Sequence, residues 1–347
     1  MTLVAGLSVG GMPAFIGDLL ISWKLPSAAD LPTRPAEVVH PGQGGYFAAS
    51  LAQKLVIIRP YFLLAWAGTR STADRILLAL DSVLPDSVEA IVDWNPVWAI
   101  LNGCDEGTEM VALLIGEDRV QPLGIRTRGF EIDGKRIYLM GSGGPAFFDY
   151  LTEHPEVIHE NEPGDAFVAC ALALRFGARA IATQWITGGG LDESWGGGFE
   201  VAYPERDGFR KIDRILFRAW LVDAKGSYHN SGRSFFVRYY GDDLYLSAFN
   251  PDERTYVVPS PVGTAGTPPT FEIAHPAWTV DMFVHQPTGS FIEAVRFHPD
   301  TRPTADFVEL TEGAVTGWSM DQDYVEQCVC RVIASAGQGN SVRVDRY

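Results

Sequence analysis

Cysteine is scarce in this chain: four in 347 residues, at positions 104, 170, 328 and 330, with no Cys-x2-Cys pair. That spacing offers no disulfide framework and no zinc-finger pattern, and it suits a reducing compartment. Cys328-Val-Cys330 reads as two small apolar groups on one face of a strand rather than a metal or redox site. Positive charge is also short. With 27 Lys and Arg against 43 Asp and Glu, the formal charge is −16. Such a field makes nucleic acid and anionic membranes poor partners, because phosphate binding is largely electrostatic. The first apolar stretch has no basic flank, contains Gly10, Gly11 and Pro13, and meets Asp18 too early to cross a bilayer. No targeting or membrane segment is therefore expected, and a cytoplasmic location is the default.

Two apparent motifs fall away on inspection. Gly141-Ser142-Gly143-Gly144-Pro145-Ala146 spells a dinucleotide fingerprint. Pro145 interrupts it, however, and no acidic residue ends a following strand about twenty residues on. His154 and His159 stand five apart and do not share a helix face, so they read as surface residues rather than metal ligands. The sequence calls for no cofactor and no metal.

What the chain does have is apolar content, 46% of its residues, enough for a packed core. Its N-terminus alternates, Thr2-Leu3-Val4-Ala5-Gly6-Leu7-Ser8-Val9, then turns at Gly10-Gly11 into a second apolar run that ends at Asp18. Removal of Met1 would give Thr2 a hydroxyl and a free α-amine on one residue. An α-amine titrates at about 7.7–8.0, so near neutrality part of it is unprotonated and can accept the hydroxyl proton. Asp18 and Lys54 are each isolated charges in apolar strands. An unpaired charge there is costly, so the two are expected to pair with one another.

The order of features over residues 2 to 213 resembles that of proteasome β-subunits. The matching features are Thr2 and its strand, Asp18 sixteen residues on, Tyr46 and Lys54 eight apart, and Ala67-Gly68 before a helical pattern at Thr72-Ala-Asp74-Arg75-Ile-Leu-Leu-Ala-Leu. Strands at Met110–Ile115 and Arg136–Met140, the Gly141-Ser142-Gly143 turn, an apolar helix over 163–183, and Gly196-Gly197-Gly198 before a strand continue it. The resemblance implies an α/β fold, an Ntn-hydrolase-like αββα sandwich of two stacked sheets between helical layers. Residues 1–213 would form that domain and 214–347 a β-rich C-terminal extension of unnamed fold.

The same resemblance implies a chemistry, that of an N-terminal threonine amide hydrolase and most simply a peptidase. Thr2 would be the nucleophile, Lys54 the cation beside it, Asp18 the carboxylate holding that cation, Gly68 N–H the oxyanion donor and Ser142 a proton relay. Substrates would be peptides or small amides, and the subunits would form a homo-oligomer. The chain departs from the family's Asp-x-x-Ser-Gly-Gly unit, which orients the terminal amine. One alignment offers Glu193 and Gly196 for that unit, another Gln184 and Thr187. Two further readings therefore stand beside the peptidase: an inactive proteasome-like scaffold or assembly protein, and an Ntn acylase acting on a small amide.

Insertions relative to that pattern fall at 25–45, rich in proline, and near 186–193. Beyond residue 213 the pattern predicts a hairpin over 235–246 with a Gly-Asp-Asp turn, a Pro/Gly linker over 259–269, and strands at 279–284 and 291–297.

Overall fold

The structure, a computed structural model, describes residues 2–9, 12–25, 31–32, 45–115, 120–132, 135–153, 166–187, 195–230, 234–249, 254–298 and 304–336. The insertion over 25–45, His154 and His159, and Glu193 lie largely or wholly outside them. Five α-helices occur among these residues: α1 (Arg70–Val83), α2 (Asn95–Asn102), α3 (Gly144–Glu153), α4 (Ala166–Thr187) and α5 (Gln322–Ala336).

Val4–Val9 lies at the middle of a six-stranded antiparallel sheet, between Met12–Asp18 and Lys135–Met140. Its alternation divides it cleanly. Leu3, Ala5 and Leu7 face α3 and α4, whereas Val4 faces a second, four-stranded sheet running from Leu55–Arg59 to Val120–Ile125. The interior between the two sheets is filled by Val4, Phe15, Leu55, Leu63, Val111 and Met140. On the outer face of the four-stranded sheet, Ile76, Leu77 and Leu80 of α1 and Val97 and Leu101 of α2 cover Phe62, Leu64 and Trp66.

Helix α4 is apolar around most of its circumference because it is covered on both sides. Gly177 meets Ile16 and Phe199 of the six-stranded sheet. Phe167 stacks on Trp278 and meets Phe297 edge-on in a seven-stranded sheet built entirely from residues after 213. One hydrophobic cluster therefore runs from Leu3 through α4 to Val280, across the expected boundary at 213. The far face of the seven-stranded sheet carries α5 and a three-stranded sheet.

These observations correct the expected fold class. Among the described residues strand outweighs helix, 46% against 26%, in many antiparallel sheets, and the fold does not resemble an α/β αββα sandwich. The physical reason lies in α4, which the expectation placed in an outer helical layer. A further sheet, built from residues after 213, packs on it, so α4 is an interior layer and that extension shares one core with the rest. Cys328 and Cys330 need a second correction. They lie on α5, not on a strand, and point apart: Cys328 is buried and Cys330 exposed. Tyr324, Val325, Cys328, Val329 and Val332 recur at helical spacing, and that pattern outweighs the local alternation. The hairpin expected over 235–246 is present as Ser234–Tyr240 and Asp243–Phe249.

Between the seven-stranded sheet and α5 lies a buried charge network. Arg218 grips Asp281 through two bonds of 2.7 and 2.8 Å and reaches Asp306 at 2.7 Å. Arg296 joins Asp306 to Asp321. His298 bonds Thr279 at 3.0 Å beside them, and burial, with Arg296 close by, pushes its pKa down to about 4.

Candidate active site

Thr2, Asp18 and Lys54 come together at one end of the six-stranded sheet, all three buried. The register that sets Val4 against Gly17 brings residues 2 and 3 level with Asp18. Asp18 Oδ1 accepts the Thr2 hydroxyl at 2.7 Å and the Leu3 N–H at 2.8 Å, and it contacts Lys54 Nζ. Its other oxygen accepts the Gly196 N–H at 2.8 Å. Lys54 Nζ also donates to the Leu20 carbonyl at 2.7 Å. Every oxygen of the carboxylate is thus engaged, as burial of a charge requires. Burial pulls the Lys54 ammonium below its ordinary pKa, and the Asp18 charge opposes that shift.

A carboxylate absent from the expected site fixes the backbone around Lys54. Glu200, buried on the strand Phe199–Glu205, accepts the N–H of Lys54 and, at 2.8 Å, that of Leu55. Here the chain leaves the two-stranded ribbon of Leu20–Trp23 and Phe47–Leu51 to enter the four-stranded sheet, so these N–H groups need a partner outside the ladders. The other Glu200 oxygen takes Lys211 Nζ at 2.7 Å, and Lys211 also contacts Gln53 Oε1. Glu200 was detectable by the reasoning that singled out Asp18, since it is a lone charge among Phe199, Val201 and Ala202. Gln53, Lys211, Tyr239, Asp213, Asp242 and Phe209 line a cavity of about 510 Å³, which does not include Thr2, Asp18 or Lys54 in its walls.

The remaining expected residues sit at different distances from this centre. The Gly141–Gly144 turn closes over Thr2. Gly143 N–H bonds the Thr2 carbonyl at 3.0 Å, and a Cβ on Gly141 would overlap that same carbonyl, so only glycine fits. Ser142 stands on the exposed crest of the turn. Gly68, at the end of the strand Phe62–Ala67, is exposed and packs against Gly107; its N–H makes no hydrogen bond to Thr2, Asp18 or Lys54. Gly196 contributes through its backbone. Its φ of +125° aims its N–H at Asp18 and its carbonyl at the N–H groups of Leu19 and Leu20. Glu193 is outside the described residues. Thr2 itself is only 2% exposed, and the 141–144 turn packs against its carbonyl and its methyl group.

No protein-family model matches the chain, and no curated protein matches it significantly.

Proposed function

We propose that the chain is an N-terminal threonine amide hydrolase, a peptidase resembling proteasome β-subunits in its chemistry. One observation carries the reading: the Thr2 hydroxyl and Lys54 Nζ converge on Asp18 Oδ1 in a buried site. Once Met1 is removed, the Thr2 amine takes the proton from its own hydroxyl, and Oγ attacks the substrate carbonyl. The tetrahedral oxyanion is stabilised by the Lys54 charge and by the Gly68 N–H. Collapse forms an ester on Thr2 Oγ and breaks the C–N bond, the departing amine taking the proton. Water then attacks the ester, with the Thr2 amine again as base, and regenerates the hydroxyl. Ser142 relays protons at the mouth of the turn. The subunits assemble as a homo-oligomer in the cytoplasm, and the reaction uses no cofactor.

A scaffold without hydrolysis is the second reading, supported by the burial of Thr2 and by the absence of a side chain at Gly196. Release of fluorophore from short peptide amides separates the two. Turnover that vanishes in Thr2→Ala supports the hydrolase, and equal release by both proteins contradicts it.

A further inference from the structure

Glu109 opens the strand Glu109–Ile115 of the four-stranded sheet, where it pairs with Ala67 and is half-buried. Its Oε2 accepts the Gly141 N–H at 2.6 Å, where the chain leaves the strand Lys135–Met140 of the six-stranded sheet. The two sheets meet through apolar side chains such as Val4, Val111 and Met140, contacts with no preferred direction. A bond from a carboxylate to a backbone N–H is directional and stronger than a neutral one, so it fixes where Gly141 sits. Gly141 in turn constrains Thr2. Its φ is +72°, and a Cβ built on it would overlap both the carbonyl and the methyl carbon of Thr2. The Thr2 side chain is thus held on two sides: its methyl group lies against Gly141, and its hydroxyl donates to Asp18 Oδ1 at 2.7 Å. Holding both substituents of Cβ selects one staggered setting of χ1.

We propose that Glu109 is a positioning residue for the Thr2 hydroxyl, acting through Gly141. This rests on the hydrolase reading above. The carboxylate holds the turn against the Thr2 methyl group, and that contact disfavours the rotamers that carry Oγ away from Asp18. Without the bond the turn recedes, χ1 averages, and the hydroxyl spends less time where it can attack.

The test compares wild type with Glu109→Ala, Glu109→Gln and Glu109→Asp, each with Thr2 as first residue and verified by intact mass. Glu109→Ala removes the acceptor, Glu109→Asp keeps the charge but falls one methylene short, and Glu109→Gln keeps an oxygen at full length. NMR reads χ1 of Thr2 from the three-bond coupling between its carbonyl and methyl carbons, and peptide turnover gives kcat and KM. Wild type and Glu109→Gln should show a single rotamer. Glu109→Ala and Glu109→Asp should show an averaged coupling, with kcat lower on the order of 10²-fold and KM little changed. A purely structural role would lower stability without this ordering of the variants. If Glu109→Ala fails to fold, the contrast between Glu109→Asp and Glu109→Gln decides alone. One unaveraged rotamer in every variant overturns the assignment. So does a normal Glu109→Asp beside an impaired Glu109→Gln, which would mark an effect of charge rather than of the bond. Averaging in Glu109→Ala and Glu109→Asp, with no peptide hydrolysis by wild type, supports Glu109 as the residue that holds Thr2 and overturns the hydrolase reading instead.

Discussion

Lys54 and Asp18 form an ion pair in which neither side chain has any solvent exposure. A pair of this kind is fragile to the loss of one partner, because the other charge stays behind in a medium that cannot solvate it.

Lys54→Ala should abolish turnover and destabilise the protein by about 3–5 kcal/mol, the usual cost of stranding a buried charge. The double variant Lys54→Met with Asp18→Asn should recover much of that stability without recovering activity. Urea unfolding of the three proteins checks this, and a single variant as stable as wild type would contradict it.

Glu200→Ala removes the acceptor for two backbone N–H groups and the partner of Lys211. It should cost on the order of 3 kcal/mol by leaving buried donors unpaired, and reduce turnover by loosening the backbone at Lys54. Glu200→Gln keeps one acceptor oxygen and should cost less. Equal stability of wild type and Glu200→Ala would show that these bonds contribute nothing net.

The acid limb of stability should report on His298. Its folded pKa of about 4 lies below the unfolded value of 6.5, so between the two the unfolded chain binds a proton that the native state declines. This contribution is fully present above 6.5 and is lost as pH falls through about 4, to a total of about 3 kcal/mol. Urea midpoints measured at falling pH should flatten in His298→Gln, and an unchanged slope would contradict the assignment.

Assembly is expected as well, through helix faces such as that of α1, where Leu78 and Val83 are exposed apolar residues. Sedimentation that shows larger species growing with concentration would support it. A monomer-sized species unchanged across micromolar concentrations would refute it.

The sequence made some of this legible and hid the rest for physical reasons. Asp18 and Lys54 were readable because a lone charge in an apolar strand must find its opposite. Glu200 obeyed the same rule, but it stands just after three glycines that drew attention to the turn instead. The part played by Gly196 was not readable, since every residue but proline carries an N–H and only φ decides where it points. The broad apolarity of α4 signalled burial, but not that sheets would cover it on both sides. The seven-stranded sheet on its far side adds the strands that tip the described residues toward β. Period-2 patterns in the tail located strands without revealing what they pack against.

The central claim is that Thr2, with a free amine, is the nucleophile, and intact-mass spectrometry tests it most directly. The protein is incubated with a small activated acyl ester, alongside Thr2→Ala. The expected spectrum of wild type lacks methionine and gains one acyl group, mapped to Thr2, while Thr2→Ala gains none. A fully retained methionine, or the same acylation in Thr2→Ala, would contradict the account.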